Sequence, residues 1–169
     1  LSSKNKSTNP EFRVGLGQDS HKFSTNPNKK LTLAGTIIEN HQGLAADSDG
    51  DVILHALFNS LSSTIGDHSL GFYADDMYKK GIKNSKEYLK VILNKIQEKN
   101  LRINNLSISI EAKTPKLEPH SDSIKDSLST ILNISKDKIG LTFTSGDSLT
   151  SFGKGEGVQC LAIVSLFSI

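Results

Sequence analysis

The chain has a single cysteine, one methionine, four prolines and no tryptophan in its 169 residues. One thiol cannot build a disulfide framework, which excludes a small secreted scaffold stapled by bridges. Cys160 lies in the apolar alternation Val158-Gln159-Cys160-Leu161-Ala162-Ile163-Val164 and reads as a buried structural thiol. Also missing is any apolar run near the roughly 20 residues that a membrane-spanning helix requires. Neither sign of charge dominates: 20 Lys+Arg against 18 Asp+Glu leave a formal +2, too little for the basic stripe that duplex nucleic acid demands. No nucleic-acid or membrane partner is therefore expected. The opening Leu1-Ser2-Ser3-Lys4-Asn5-Lys6-Ser7-Thr8-Asn9 is polar throughout and reads as part of a disordered leader over 1–11, ahead of one domain over 12–169. Because the only methionine is Met77, a processed or trimmed chain is expected. Its expected location is the cytoplasm, or a plastid if a transit peptide was removed.

What is present suffices for one core, since 36% of the residues are hydrophobic. Phe12 to Gly17, with Val14 and Leu16 alternating, reads as a strand that ends in Gly17-Gln18-Asp19-Ser20-His21. A hairpin is expected through Leu31 to Ile38, broken at Ala34-Gly35. From Val52 to Ile65 the apolar residues surround most of a helix, which predicts burial, with Ser48 or Asp49 as its N-cap. A second helix starts at Asn84, where Glu87 completes a capping-box pattern, and carries Leu89, Ile92, Leu93 and Ile96 on one face. A strand alternating Leu106, Ile108 and Ile110 follows, then a helix after Pro119 carrying Ile124, Leu128, Ile131 and Leu132. Strands over Ile139–Thr144 and Val158–Leu166 close the chain. The order predicts an α+β domain, helices packed on one face of a mixed β-sheet.

Asp19 and His21 are two residues apart at a strand end, so both side chains leave on the same side of the pleat. The pair alone is a weak signal. His55 adds to it, because an imidazole in a buried helix must find partners for its ring nitrogens, and Asp51 one turn earlier is placed to orient it. The bland alternative is a core histidine satisfied by Asp51 alone. Two histidines and a carboxylate with an open position suit zinc acting as a Lewis acid. Ala46-Asp47-Ser48-Asp49-Gly50-Asp51 enters a helix N-terminus, where amides hold an anion or acids merely cap. Thr144-Ser145-Gly146-Asp147 and Gly153-Lys154-Gly155-Glu156-Gly157 offer hydroxyls, a carboxylate and a cation to a phosphate, although a glycine-rich hairpin has the same composition.

Taken in order, Arg13 through His21, Ser48-Asp49-Gly50-Asp51-Val52-Ile53-Leu54-His55-Ala56-Leu57, Gly66-Asp67, Ala112-Lys113-Thr114-Pro115-Lys116-Leu117-Glu118-Pro119-His120 and Gly153 through Gly157 resemble the 2-C-methyl-D-erythritol 2,4-cyclodiphosphate synthase family of the non-mevalonate isoprenoid pathway. The resemblance covers Phe12 to the C-terminus. It implies a homotrimer with sites at subunit junctions, which closes a cytidine-diphosphate-activated methylerythritol 2-phosphate into a cyclic diphosphate and releases CMP. It also implies that Asp19, His21 and His55 ligate zinc and that Asp147 holds magnesium or manganese. Asp67 would hold methylerythritol hydroxyls, Ala112 with Pro115, Lys116, Leu117 and Glu118 would frame the cytosine, and Thr144 and Ser145 would contact phosphate. Asp47, Ser48, Ser69, Phe72, Asp75 and Lys154 complete the implied substrate contacts.

Departures from the family's pattern are also present. Asp47 stands where an imidazole is usual and is expected to point away from phosphate, capping the helix that begins near Ser48. Asp147 replaces a glutamate, Lys154 an arginine, and Ala74 an acid. Fusion to the preceding cytidylyltransferase is a further implied association. A zinc-dependent phosphoesterase and a non-catalytic nucleotide-binding relative are the competing readings.

Overall fold

The computed structural model describes residues 10–169, so the leader expected over 1–11 lies outside the described residues except for Pro10 and Glu11. Glu11 is joined to the end of the chain: its amide donates to Ser168 Oγ at 2.9 Å, and its carbonyl accepts from Ser168 N at 3.0 Å.

Six strands and five α-helices follow. They are β1 (Phe12–Lys22), β2 (Lys30–Leu33), β3 (Thr36–Gln42), α1 (Val52–Thr64), α2 (Leu70–Lys79), α3 (Ser85–Glu98), β4 (Leu101–Glu111), α4 (Ser121–Leu132), β5 (Ile139–Thr144), α5 (Ser151–Lys154) and β6 (Gly157–Ser168). The main sheet has the order β1-β6-β4-β5, with β4 and β5 parallel and the other neighbours antiparallel. The expected α+β class with a mixed sheet holds. Strands β2 and β3 form a separate hairpin that turns at Ala34-Gly35.

Strand β1 is longer than its sequence pattern suggests. It pairs with β6 through Lys22, so Asp19 and His21, expected at the strand's end, are sheet residues opposite Cys160 and Val158. Its apolar side chains also face away from the helices: Phe12, Val14 and Leu16 are 64%, 68% and 61% exposed. Gly15 and Gly17 face α1 instead, and their missing side chains let that helix lie against the strand.

Helix α1 is central, with Val52 to Phe58 all buried and each fully buried Leu or Phe stabilising by roughly 1.5–3 kcal/mol. Its N-cap is Asp51, not Ser48 or Asp49. The Asp51 carboxylate accepts from Leu54 N at 3.1 Å and from Ala34 N and Gly35 N at 2.9 and 2.5 Å, tying the hairpin turn to the helix start. Asp49 serves a different helix, accepting from Ser85 N at 2.9 Å at the first residue of α3. Asn84 caps α3 as expected, accepting from Lys86 N at 2.9 Å, while Glu87 bonds Lys90 at 2.7 Å and closes no capping box. Helix α4 buries Ile124, Leu128 and Leu132 and ends at Asn133 in the left-handed conformation, φ 52°.

Helix α2 is absent from the sequence-based expectation. It carries Leu70, Tyr73, Ala74, Met77 and Tyr78 at helical spacing, but none of them is fully buried and Gly71 weakens the pattern.

Candidate active site

Gly15 and Gly17 bring α1 so close to β1 that His55 meets Asp19 and His21 directly. Asp19 Oδ2 lies 2.9 Å from His21 Nε2 and 2.9 Å from His55 Nδ1, and the two ring nitrogens are 3.2 Å apart. These three atoms lie within 4.8 Å of one another and form the one group of at least three metal-type ligands found among the described residues. Burial pushes the Asp19 carboxyl up, but hydrogen bonds from His21 and His55 outweigh it and bring the group down to about 2. The convergence of one carboxylate oxygen and two imidazole nitrogens on one point fits a divalent ion with an open coordination position.

Asp51 does not orient the His55 ring; its carboxylate is spent on backbone amides. The ring's other nitrogen, Nε2, is 2.8 Å from Ser85 Oγ and 3.4 Å from Ser48 Oγ. Ser85 and Asp49 are thus site residues that sequence spacing does not single out as partners of His55, because 30 residues separate the serine from the histidine.

The triad opens into a cleft of about 430 Å³ whose lining includes Asp47, Ser48, Asn59, Ser69, Ala74, Asp75, Tyr78 and Tyr88. Helix α2 supplies one wall. The expected contacts Asp47, Ser48, Ser69 and Asp75 are brought together here with the metal triad. Asp47 caps no helix, contrary to expectation: Asp51 holds that position, and Asp47 is an exposed residue at the cleft mouth. The loop around it is pinned by Lys29, whose ammonium donates to the carbonyls of Ala46 at 2.6 Å and Ser48 at 2.9 Å. Phe72 does not line this cleft; it is 62% exposed and stacks on His68 with ring centroids 4.1 Å apart.

Asp67 also lies off the cleft. Its Oδ1 accepts from Tyr73 Oη at 2.6 Å and from His68 N at 2.7 Å, and its Oδ2 pairs with Lys95 Nζ at 2.7 Å. Hydrogen bonds from Lys95 and Tyr73 hold its carboxyl well below the usual carboxylate range. In this geometry Asp67 ties α2 to α3 through Tyr73 and Lys95.

A second cavity, of about 210 Å³, lies where β4 and β5 end, lined by Ala112, Pro115, Lys116, Leu117, Glu118, Thr144 and Ser145 with Ile110 and Phe143. All five expected base-framing residues and both phosphate-contacting hydroxyl residues meet in it. Ala112 N donates to Thr144 O at 3.0 Å, which joins the two loops. Asp147 and Lys154 line neither cavity. Asp147 is adjacent to the second one, in the left-handed region at φ 45°, and its carboxylate accepts from Ser145 Oγ at 3.2 Å. The first cavity lies against β1 and the second against β4 and β5, so they sit toward opposite edges of one sheet whose edge strands are roughly 14 Å apart at about 4.8 Å per strand.

A mixed-sheet α+β domain with a two-histidine, one-carboxylate centre at one sheet edge and a small loop-framed cavity at the other defines a class of metal-site protein. The chain belongs to the YgbB family, whose model matches residues 12–167. It is 44% identical over 158 residues to a 2-C-methyl-D-erythritol 2,4-cyclodiphosphate synthase of Chlamydia muridarum, covering 92% of this chain and 88% of that one. A synthase of the same name from Chlamydia felis is 40% identical, covering 92% and 89%. Among solved structures, IspF of Plasmodium falciparum in complex with CDP superposes with a TM-score of 0.80 at 28% identity, covering 93% of this chain and 96% of that one. The bifunctional IspDF of Campylobacter jejuni superposes at 0.87 and 31% identity, with 95% of this chain matching 43% of that one.

Proposed function

We propose that this chain is a 2-C-methyl-D-erythritol 2,4-cyclodiphosphate synthase, a phosphorus–oxygen lyase acting on 4-diphosphocytidyl-2-C-methyl-D-erythritol 2-phosphate. The observation that carries the reading is the convergence of Asp19, His21 and His55 on one point in the wall of a cleft. An oxygen of the substrate's 2-phosphate attacks the β-phosphorus, the bond from that phosphorus to the α-phosphate's bridging oxygen breaks, and CMP leaves with the electron pair. Two anionic groups must approach each other, so the protein's work is positioning and charge neutralisation rather than covalent catalysis. When bound, zinc on Asp19, His21 and His55 would supply Lewis-acid polarisation of the β-phosphate, and magnesium or manganese at Asp147 would offset charge between the α- and β-phosphates.

The remaining roles belong to this chain's own residues. Ser69 and Asp75 bond the polyol, and Ser48 donates to phosphate beside the triad. Thr144 and Ser145 donate to the diphosphate. The backbone of Ala112 and of Lys116 to Glu118, with Pro115, frames the cytosine. Because these half-sites occupy opposite edges of one sheet, each complete site takes its triad from one copy and its base cavity from the next. A head-to-tail arrangement of that kind closes into a ring, here a trimer. The open sheet face carrying Phe12, Val14, Leu16, Leu161 and Ile163 supports this assembly, since side chains of that kind are exposed in the single chain.

Product analysis tests the reading. CMP plus a cyclic diphosphate supports cyclisation, CMP plus an open-chain bisphosphate supports a phosphoesterase, and absence of turnover supports a nucleotide-binding module. His55→Ala is expected to abolish turnover and to remove the zinc equivalent from purified protein.

A further inference from the structure

The hydroxyl of Ser85 stands between the candidate metal centre and a carboxylate outside it. Ser85 is 1% exposed, its Oγ lies 2.8 Å from His55 Nε2, and the same hydroxyl donates to Asp49 Oδ1. Asp49 is itself held, with Oδ2 accepting from Ser85 N at 2.9 Å and Oδ1 accepting from Asp51 N at 3.2 Å. A serine hydroxyl has one proton, and a carboxylate offers only acceptors. With that proton committed to Asp49, Ser85 Oγ meets Nε2 only as an acceptor, so Nε2 carries the ring's proton. Ser48 Oγ, at 3.4 Å from the same nitrogen, is too distant to redirect it. Nδ1, the atom 2.9 Å from Asp19 and 3.2 Å from His21, is thereby the nitrogen turned to the centre: it bonds Asp19 Oδ2 in the metal-free chain, and its lone pair is the one a metal ion would take. Without the acceptor at Nε2 the ring's proton would settle on Nδ1 against Asp19, where an ion must bind.

We propose that Ser85 is a positioning residue of the metal centre: it holds His55 in the Nε2–H tautomer while Asp49 holds Ser85. The inference rests on reading Asp19, His21 and His55 as metal ligands. Helix capping alone does not account for the hydroxyl. Asn84 already caps α3 through Lys86 N, and the Ser85 amide is satisfied by Asp49 without any help from Oγ. Asp49 gains independently from its place at the N-terminus of α3, where a negative charge is favoured, which makes it a firm anchor.

The test compares wild type, Ser85→Ala, Asp49→Asn and His55→Ala by zinc titration against a chromophoric chelator, together with the His55 tautomer read by ¹⁵N NMR in the metal-free protein. Ser85→Ala is expected to weaken zinc binding roughly ten- to a hundredfold. Its metal-free melting temperature should stay near wild type while the His55 signal becomes a mixture of tautomers. Asp49→Asn is nearly isosteric and serves if Ser85→Ala does not fold. Whichever way its amide sits, one of the three donors that Asp49 satisfies loses its acceptor, so the hold on the Ser85 hydroxyl proton loosens and zinc binding is expected to weaken in the same direction as in Ser85→Ala. Wild-type affinity with an unchanged Nε2–H signal in both variants overturns the proposal, whether or not the melting temperature falls. A wild type that binds no zinc, or binds it equally after His55→Ala, defeats the metal reading instead, and the tautomer measurement then still decides the role of Ser85.

Discussion

Gly17 of β1 lies so near Ala56 of α1 that a β-carbon at position 17 would sit 2.1 Å from the Ala56 carbonyl oxygen. The residue before Ala56, His55, must reach Asp19, two residues after Gly17, to complete the triad. Gly17→Ala is therefore expected to push α1 off β1, costing about 1–3 kcal/mol of stability as overpacking does. It should also lower zinc stoichiometry, although residue 17 touches no ligand. Urea unfolding with elemental analysis of the purified variant checks both; normal stability and a full zinc equivalent would show that the close approach is dispensable.

Asp51 is completely buried and pushed up to about 6 by that burial, against the hydrogen bonds it accepts from Gly35, Leu54 and Ala34. Its folded-state value lies above its unfolded one, so its contribution to stability is complete below about pH 4 and is lost as pH rises to about 6. Over that window the wild type should lose on the order of 3 kcal/mol relative to Asp51→Asn, which has no proton to release. Chemical denaturation at several pH values measures the difference in slope. Asp51→Ala leaves three amides without their acceptor and removes the cap, and a loss of about 3–5 kcal/mol is expected below about pH 4, shrinking as the wild type itself loses stability toward pH 6.

The Asp67–Lys95 pair should act in the opposite sense. Hydrogen bonds from Lys95 and Tyr73 hold Asp67 below its ordinary range, so its contribution is complete at neutral pH and fades as pH falls below the usual carboxylate range. Lys95→Ala is expected to loosen α2, seen as faster amide hydrogen exchange over Leu70–Lys79, and to raise KM more than it lowers kcat, because α2 walls the cleft. Unchanged exchange in α2 would show that the anchor is redundant.

Asp47 lines the cleft beside Ser48, where a phosphate bound to the triad would meet its charge. At about 4 Å and an effective dielectric of 20 that repulsion is roughly 4 kcal/mol, less where water screens it. Asp47→Asn is expected to tighten CDP binding several-fold by calorimetry. Weaker binding would show that the carboxylate recruits a cation.

Sequence alone revealed every strand of the main sheet and the three helices that bury an apolar face, because burial imposes a period of two or of 3.6 on neighbouring residues. Asp19, His21 and His55 were legible for a similar reason, since two of them share one side of a strand and the third is a polar residue in an apolar helix. Helix α2 was not read, although Leu70, Tyr73, Ala74, Met77 and Tyr78 recur at helical spacing, because Gly71 and a span of only ten residues weaken that signal. Nor did spacing show that Asp51 caps α1 while Asp49 reaches α3, since both acids fit a helix start and only the path of the backbone decides which amide each one meets. The His55–Ser85 contact and the separation of the two cavities were likewise decided by tertiary structure. Hydrogen-bond partners are set by distance in space, and a pattern of local spacing carries no information about which residues 30 or more positions apart the packing of β1, α1 and α3 brings within 3 Å.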